Sequence, residues 1–197
     1  MKKRIAMILA VVLLLVIAIG ATIAWFTDTT QTVENTFTVG NIDITLGETD
    51  NGLDGDEDKN TNDYKMIPGW TITKDPVATV KGGSEDAWLF VEIIESENFD
   101  DFMTYAISAG WETVVPETEG VTVIGRRVAA KAENQPFAIL KDNEVKVLDT
   151  VKKENMDAII NGTDTEPTLN FKAYAVQLYK SNGVEFTAVD AWKVAKP

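Results

Sequence analysis

Apolar and polar positions alternate in short stretches along most of this chain, after one unbroken apolar run at residues 5–19. The first alternation places Val33, Asn35, Phe37 and Val39 on one face. Beyond Gly40 and Asn41 the phase slips, and Ile42, Ile44 and Leu46 take the inward positions. A slip at glycine inside a strand pattern predicts a bulge or bend, so one bent strand or two short ones are expected. Residues 47–63 (GETDNGLDGDEDKNTND) read as an acidic loop, and Pro68-Gly69 as a turn. An alternating run follows through Trp70, Ile72, Val77 and Val80, then a second turn, KGGSED. AWLFVEII, residues 87–94, is nearly continuous in apolar character, which predicts a central strand. Phe99, Phe102, Met103 and Ala106 stand at helical spacing and predict a short helix within 97–106. Strands are expected at 110–115, 121–129 and 144–151, and a second short helix at 152–160, stopped by Asn161-Gly162. In LNFKAYAVQLY, residues 169–179, Leu169, Phe171, Ala173 and Ala175 share one face, and Tyr174, Val176 and Leu178 the other. The tail adds Val184, Phe186, Val189 and Trp192. Many short strands between Gly, Asn and Pro turns, with one or two small helices, predict an all-β sandwich.

The apolar run at the start is of a different kind. Lys2, Lys3 and Arg4 precede it, and Gly20, Ala21, Thr22 and Ala24 follow it. A basic start, an apolar centre and small residues at the end make a secretory signal peptide, cut after Ala24 with Thr22 at −3 and Trp25 as the first mature residue. The alternative is an uncleaved anchor, since residues 5–26 are long enough to span a bilayer. The expected organisation is a signal peptide at 1–24 and a single sandwich domain at 25–197, whose first part, 25–37, is extended. Membrane contact would come only through an uncleaved N-terminus.

Charge and two absences narrow the chemistry. The formal charge is −13, and −16 without Lys2, Lys3 and Arg4, which argues against nucleic acid and anionic membranes as partners. The sequence has no Cys and no His. Disulfide frameworks, thiolate nucleophiles, Ser-His-Asp and Cys-His catalysis and His-based zinc sites are therefore excluded. No catalytic residue stands out, and the expectation is a protein that is not an enzyme. The best local site is Asp54, Asp56, Asp58 and Asn60 with Asp50, whose side-chain oxygens at alternate positions suit Ca²⁺. Lys59 stands where an EF-hand loop needs Gly, and Lys65 where it needs its bidentate Glu. Ca²⁺ is thus the candidate cofactor of a looser loop, and none is required; a solvated acidic loop is the plainer reading. The doublet Arg126-Arg127 reads as a solvated strand end or as a contact for an acidic neighbour. Trp70, Trp88, Trp111 and Trp192 read as packing residues or as a carbohydrate platform.

Three segments carry a resemblance. ATIAWFTDTTQTVENTFTVGNIDITL joins a small-residue cut site to Phe26, Thr27 and Asp28, then to Asn35, Phe37 and Gly40 before an apolar strand. MIPGWTITKDPVATVKGGSEDAWLFVEI places a Pro-Gly turn, a strand and a polar turn before a long buried strand. FKAYAVQ lies near the end. Together they resemble the TasA/camelysin (CalY) family of exported Gram-positive proteins, processed by a SipW-type signal peptidase. The resemblance implies a jelly-roll-like β-sandwich that polymerises with copies of itself into extracellular biofilm matrix fibres. The N-terminal segment would then be the donor strand, with Phe26, Thr27, Asp28, Val33, Asn35 and Phe37 as its assembly residues. The bland alternative is an edge strand paired within its own subunit. Two other functions stay open: a monomeric extracellular module binding Ca²⁺ or carbohydrate, and a camelysin-like surface protease.

Overall fold

The structure is a computed structural model and describes residues 41–51 and 62–196, all within one unit of the chain, Gly40–Pro197. In chain order its elements are β1 (Ile44–Gly47), β2 (Thr71–Thr73), β3 (Val77–Val80), β4 (Ala87–Glu95), α1 (Phe99–Phe102), β5 (Met103–Ile107), β6 (Glu112–Thr118), β7 (Val121–Val128), β8 (Gln135–Ala138), β9 (Leu140–Val147), α2 (Lys153–Ile160), β10 (Leu169–Gln177) and α3 (Ala188–Ala195).

One layer is a four-stranded antiparallel sheet in the order β10-β4-β7-β6. The other is a bent ribbon. β1-β3-β8 and β2-β9-β5 are separate sheets by pairing, yet β2 leads into β3 through residues 74–76, and β8 into β9 at the buried Ile139. Lys74 N donates to Asn143 O (2.8 Å) and Ile139 N to Pro76 O (3.0 Å), which carries the ladder across the bend. Pro76 has no N–H to extend that ladder. Opposite it, Asp142 and Asn143 take positive φ (55° and 56°), a conformation short polar side chains tolerate. The β5–β9 register shifts over the same stretch. The result is a two-layer, all-β, sandwich-like fold with three short helices among the described residues.

Burial explains the sequence of β4. Leu89, Val91 and Ile93 face the bent ribbon and meet Ala78, Val80, Val145 and Val147, with Phe99 and Phe102 of α1 at one end. Trp88 and Phe90 point the opposite way, into a second core with Val123 and Leu178, roofed by Ala191 and Trp192 of α3. A strand covered on both faces has no solvent side on which polar residues would alternate, so it reads as continuous. Trp88 stacks on Phe90 (centroids 5.7 Å apart), Trp192 tilts over Phe90 (5.4 Å), and the Trp88 indole donates to Phe186 O (3.0 Å). Glu92, next along that outer face and only 3 % exposed, accepts from the Tyr174 hydroxyl (2.9 Å) and pairs with the Lys196 ammonium.

Several expected elements differ in extent. The helix within 97–106 is a single turn. Met103 is already extended (φ −141°), because Met103, Thr104 and Tyr105 pair with β9. The strand expected at 144–151 starts at Leu140 and ends at Val147. β8 was not anticipated, since Pro136 interrupts its pattern. It is the outer strand of its sheet, where a missing N–H is tolerated. The tail folds as α3, capped by Thr187, whose hydroxyl accepts from Asp190 N (3.2 Å). Trp70, read as a packing residue or part of a carbohydrate platform, is 62 % exposed.

Candidate functional site

Among the described residues, the register of β1 leaves part of the bent ribbon without a pairing strand. β1 pairs Ile44 with Val80 and Gly47 with Val77, so it shields β3 and stops short of β2. β2 bonds β9 through Trp70 O, which accepts from Val147 N (2.8 Å), and through Lys74 N. Antiparallel alternation then turns the N–H and C=O of Thr71 and Thr73 to the other edge. Among the described residues no strand pairs with that edge.

A cleft of about 680 Å³ opens beside it, between the end of β1 and the start of β10. Leu46, Ile72, Leu169 and Phe171 form its walls, and Phe99 and Met103, part of the inter-layer core, reach its floor. Among the described residues the cleft is thus an indentation of the sandwich edge with buried core side chains at its floor. One ion pair crosses it. Lys74 Nζ lies 2.8 Å from Glu48 Oε1, with both side chains 12 % exposed. The same ammonium sits 5.0 Å from the Tyr64 ring centroid and 5.5 Å from that of Phe171, and the Tyr64 hydroxyl donates to Glu48 (3.2 Å). This cluster ties the residues after β1 to the end of β2, so the cleft has a fixed polar rim and an apolar interior.

The acidic loop leaves from that rim. Asn51 N donates to Asn62 Oδ1 (2.8 Å), and Asn51 Nδ2 to Asp63 O (2.7 Å), so the two ends of the loop are joined. Asp50 lies at this base. Asp54, Asp56, Asp58 and Asn60 lie outside the described residues, as do the expected cleavage residues Thr22, Ala24 and Trp25 and the expected donor residues Phe26, Thr27, Asp28, Val33, Asn35 and Phe37. Among the described residues, no group of three or more acidic side chains is gathered as a metal site. The first described residues stand away from the cleft. Glu85 N donates to Asn41 O (3.0 Å), Lys81 N to Asp43 O (2.8 Å), and Asp43 N to Ser84 Oγ (3.1 Å), all at the opposite end of β3.

The four tryptophans do not form one platform. Trp88 and Trp192 belong to the second core, Trp111 stands beside Arg126, and Trp70 is on the surface. One carboxyl has a shifted affinity for its proton. Burial raises the pKa of Glu95, against the hydrogen bond from Tyr105, whose hydroxyl donates across the two layers at 2.5 Å. Burial and the same bond push the Tyr105 phenol upward as well.

Fold and cleft together define an antiparallel β-sandwich-like protein in which, among the described residues, one edge of β2 is unpaired beside β1. Residues 1–75 match the family model described as camelysin metallo-endopeptidase, a stretch that runs through β1 and β2 and ends at Asp75. That match bears out the TasA/camelysin resemblance carried by residues 21–46. Comparisons with curated proteins and with solved structures gave no match. Sequence reasoning did not find the cleft, which depends on where β1 stops relative to β2. Alternation cannot report that.

Proposed function

We propose that this chain is an exported structural protein that assembles by strand addition. The N-terminal segment 27–37 of one copy pairs with the uncovered edge of β2 in the next and seats its apolar side chains in the cleft. One observation supports this reading: a strand edge that no described strand pairs, beside a partly apolar cleft in the same sandwich. An edge of this kind is a template for another chain's backbone. The edge from Trp70 to Lys74 takes about five residues, roughly 16 Å of extended chain. Residues 33–37, VENTF, fit that length, with Val33, Asn35 and Phe37 on the face turned to the cleft.

The point of chain entry favours a neighbour's strand over the subunit's own. Asn41 stands at the end of β3 remote from the cleft, so a segment before it would have to double back along β1 to fill its own cleft. The signal peptide, processing by a SipW-type peptidase and a place at the cell surface or in an extracellular matrix follow from the same reading. Catalysis forms no part of it. The matched family is described as a metallo-endopeptidase, and this chain has no His or Cys to hold zinc through nitrogen or sulfur.

The test compares the chain from Trp25 with one starting at Gly40 and with Thr71→Pro, by light scattering and negative-stain electron microscopy. Proline at 71 removes an N–H from the open edge and none from the β2–β9 ladder. Filaments from the first protein and none from the other two, with β-rich circular dichroism unchanged, are expected. Filaments from the Gly40 version would overturn the donor assignment. Monomers throughout would turn attention to Ca²⁺ titration of the 50–63 loop.

A further inference from the structure

Arg126 occupies a position on β7 that its neighbours fill with core. Ile124 and Val128, two residues to either side on the same face, are buried between the layers. Arg126 points the same way at the rim of the sandwich, and its guanidinium is held by rings. Its Cζ lies 3.8 Å from the Phe137 centroid and 5.3 Å from that of Trp111. Trp111 is itself fixed, its indole donating to Ala138 O (2.9 Å). Gly110, at φ +89°, runs so near the fork that a Cβ there would stand 3.3 Å from Nη2 and 3.5 Å from Nη1.

This clamp leaves the charge without a counterpart. Nε is sealed from solvent and makes no hydrogen bond. No carboxylate among the described residues pairs with the fork. Arg127, one residue on, pairs with Glu185 and Glu112, and Lys74, Lys153, Lys180 and Lys196 each meet a carboxylate. A guanidinium keeps its charge at any physiological pH, so a half-buried one with stacked faces and unbonded ends is a preorganised donor. Burial without a partner lowers the pKa of this group, the sign of an uncompensated cation.

We propose that the Arg126 fork, between Trp111 and Phe137, is a binding site for a single carboxylate group, taken end-on by Nη1 and Nη2. The rings fix the plane of the fork, and a carboxylate matches its spacing with two parallel hydrogen bonds. One cation suits a monoanion. The neighbouring Arg127 is committed to Glu185, so a phosphate dianion would find no second positive charge. The carboxylate comes either from a free acid or from an acidic side chain of another copy of this chain. The inference is independent of strand addition, since it uses neither β2 nor the N-terminal segment.

The test follows the Arg126 Nε–H and Trp111 indole N–H resonances of the chain from Trp25 by NMR. Sodium acetate is titrated against sodium chloride at matched ionic strength. The expected result is a shift of both signals that saturates by about 100 mM acetate, is absent with chloride, and is abolished in Arg126→Lys. The Lys variant keeps the charge and loses the fork. A dilution series separates the sources. Signals that move with protein concentration, and that acetate returns, assign the carboxylate to a second copy; signals constant on dilution assign it to a free acid. Equal, unsaturating drifts with acetate and chloride in the wild-type chain would overturn the proposal and leave Arg126 as a rim plug of the core.

Discussion

At the scale of single residues, the sandwich holds two carboxyls of opposite character. Glu92 is buried with a cation and a phenol in place, whereas Glu95 shares only a phenol. Burial raises the Glu95 pKa in the folded state, so the folded protein holds that proton more tightly than the unfolded chain does. The stability this group contributes is present below the ordinary carboxylate range and lost as pH rises through its raised value. Glu95→Gln keeps an acceptor for Tyr105 and removes the charge. Its urea midpoint should exceed wild type at pH 7, with the gap closing below about pH 4, where Glu95 is protonated in both states. Denaturation series at the two pH values check this. Gly125 is a second sensitive residue. A Cβ there would meet the Phe90 ring at 2.8 Å and Val114 at 2.9 Å, whereas Gly47 has nothing within 4 Å. Gly125→Ala should destabilise by about 1–3 kcal/mol, and Gly47→Ala should leave the midpoint near wild type.

At the scale of elements, β4 is the strand on which both cores depend. Trp88→Ala removes a stacked ring and the hydrogen bond to Phe186 O, and should lower stability by about 3–5 kcal/mol in chemical denaturation. Ending the chain before Thr187 removes α3 and uncovers Phe90, so it should produce dye-binding apolar surface and a lower melting temperature. Much of this architecture is legible in the residues. AWLFVEII declares a strand buried on both sides, and the two faces of LNFKAYAVQLY sort correctly into the two cores. The turn at Pro68-Gly69 and the helix ending at Asn161-Gly162 are equally plain. What hides is set by tertiary partners. β8 is masked by a proline that only an edge strand tolerates, and α1 is cut to one turn because β9 claims the residues after it. The cleft hides for the same reason, and Arg126 reads as a strand-end charge until the fold reveals the rings around it.

At the scale of the whole molecule, a charge of −13 spreads over a fold that has no Cys to brace it. Self-repulsion of that size predicts that raising sodium chloride from low ionic strength increases the melting midpoint and speeds any assembly between like-charged copies; calorimetry and scattering across a salt series measure both. The geometry of the bent ribbon has a mechanical consequence for an assembled fibre. Each copy would receive its neighbour's strand at β2 and send its own out before β1, which lies along β3. Because β2 and β3 are one run of chain, tension entering at one end and leaving at the other loads the β1–β3 hydrogen bonds side by side and along the strand direction. Bonds sheared together must fail together, whereas bonds peeled from an end fail one at a time. A filament of such subunits would resist being pulled lengthwise far better than being prised apart sideways.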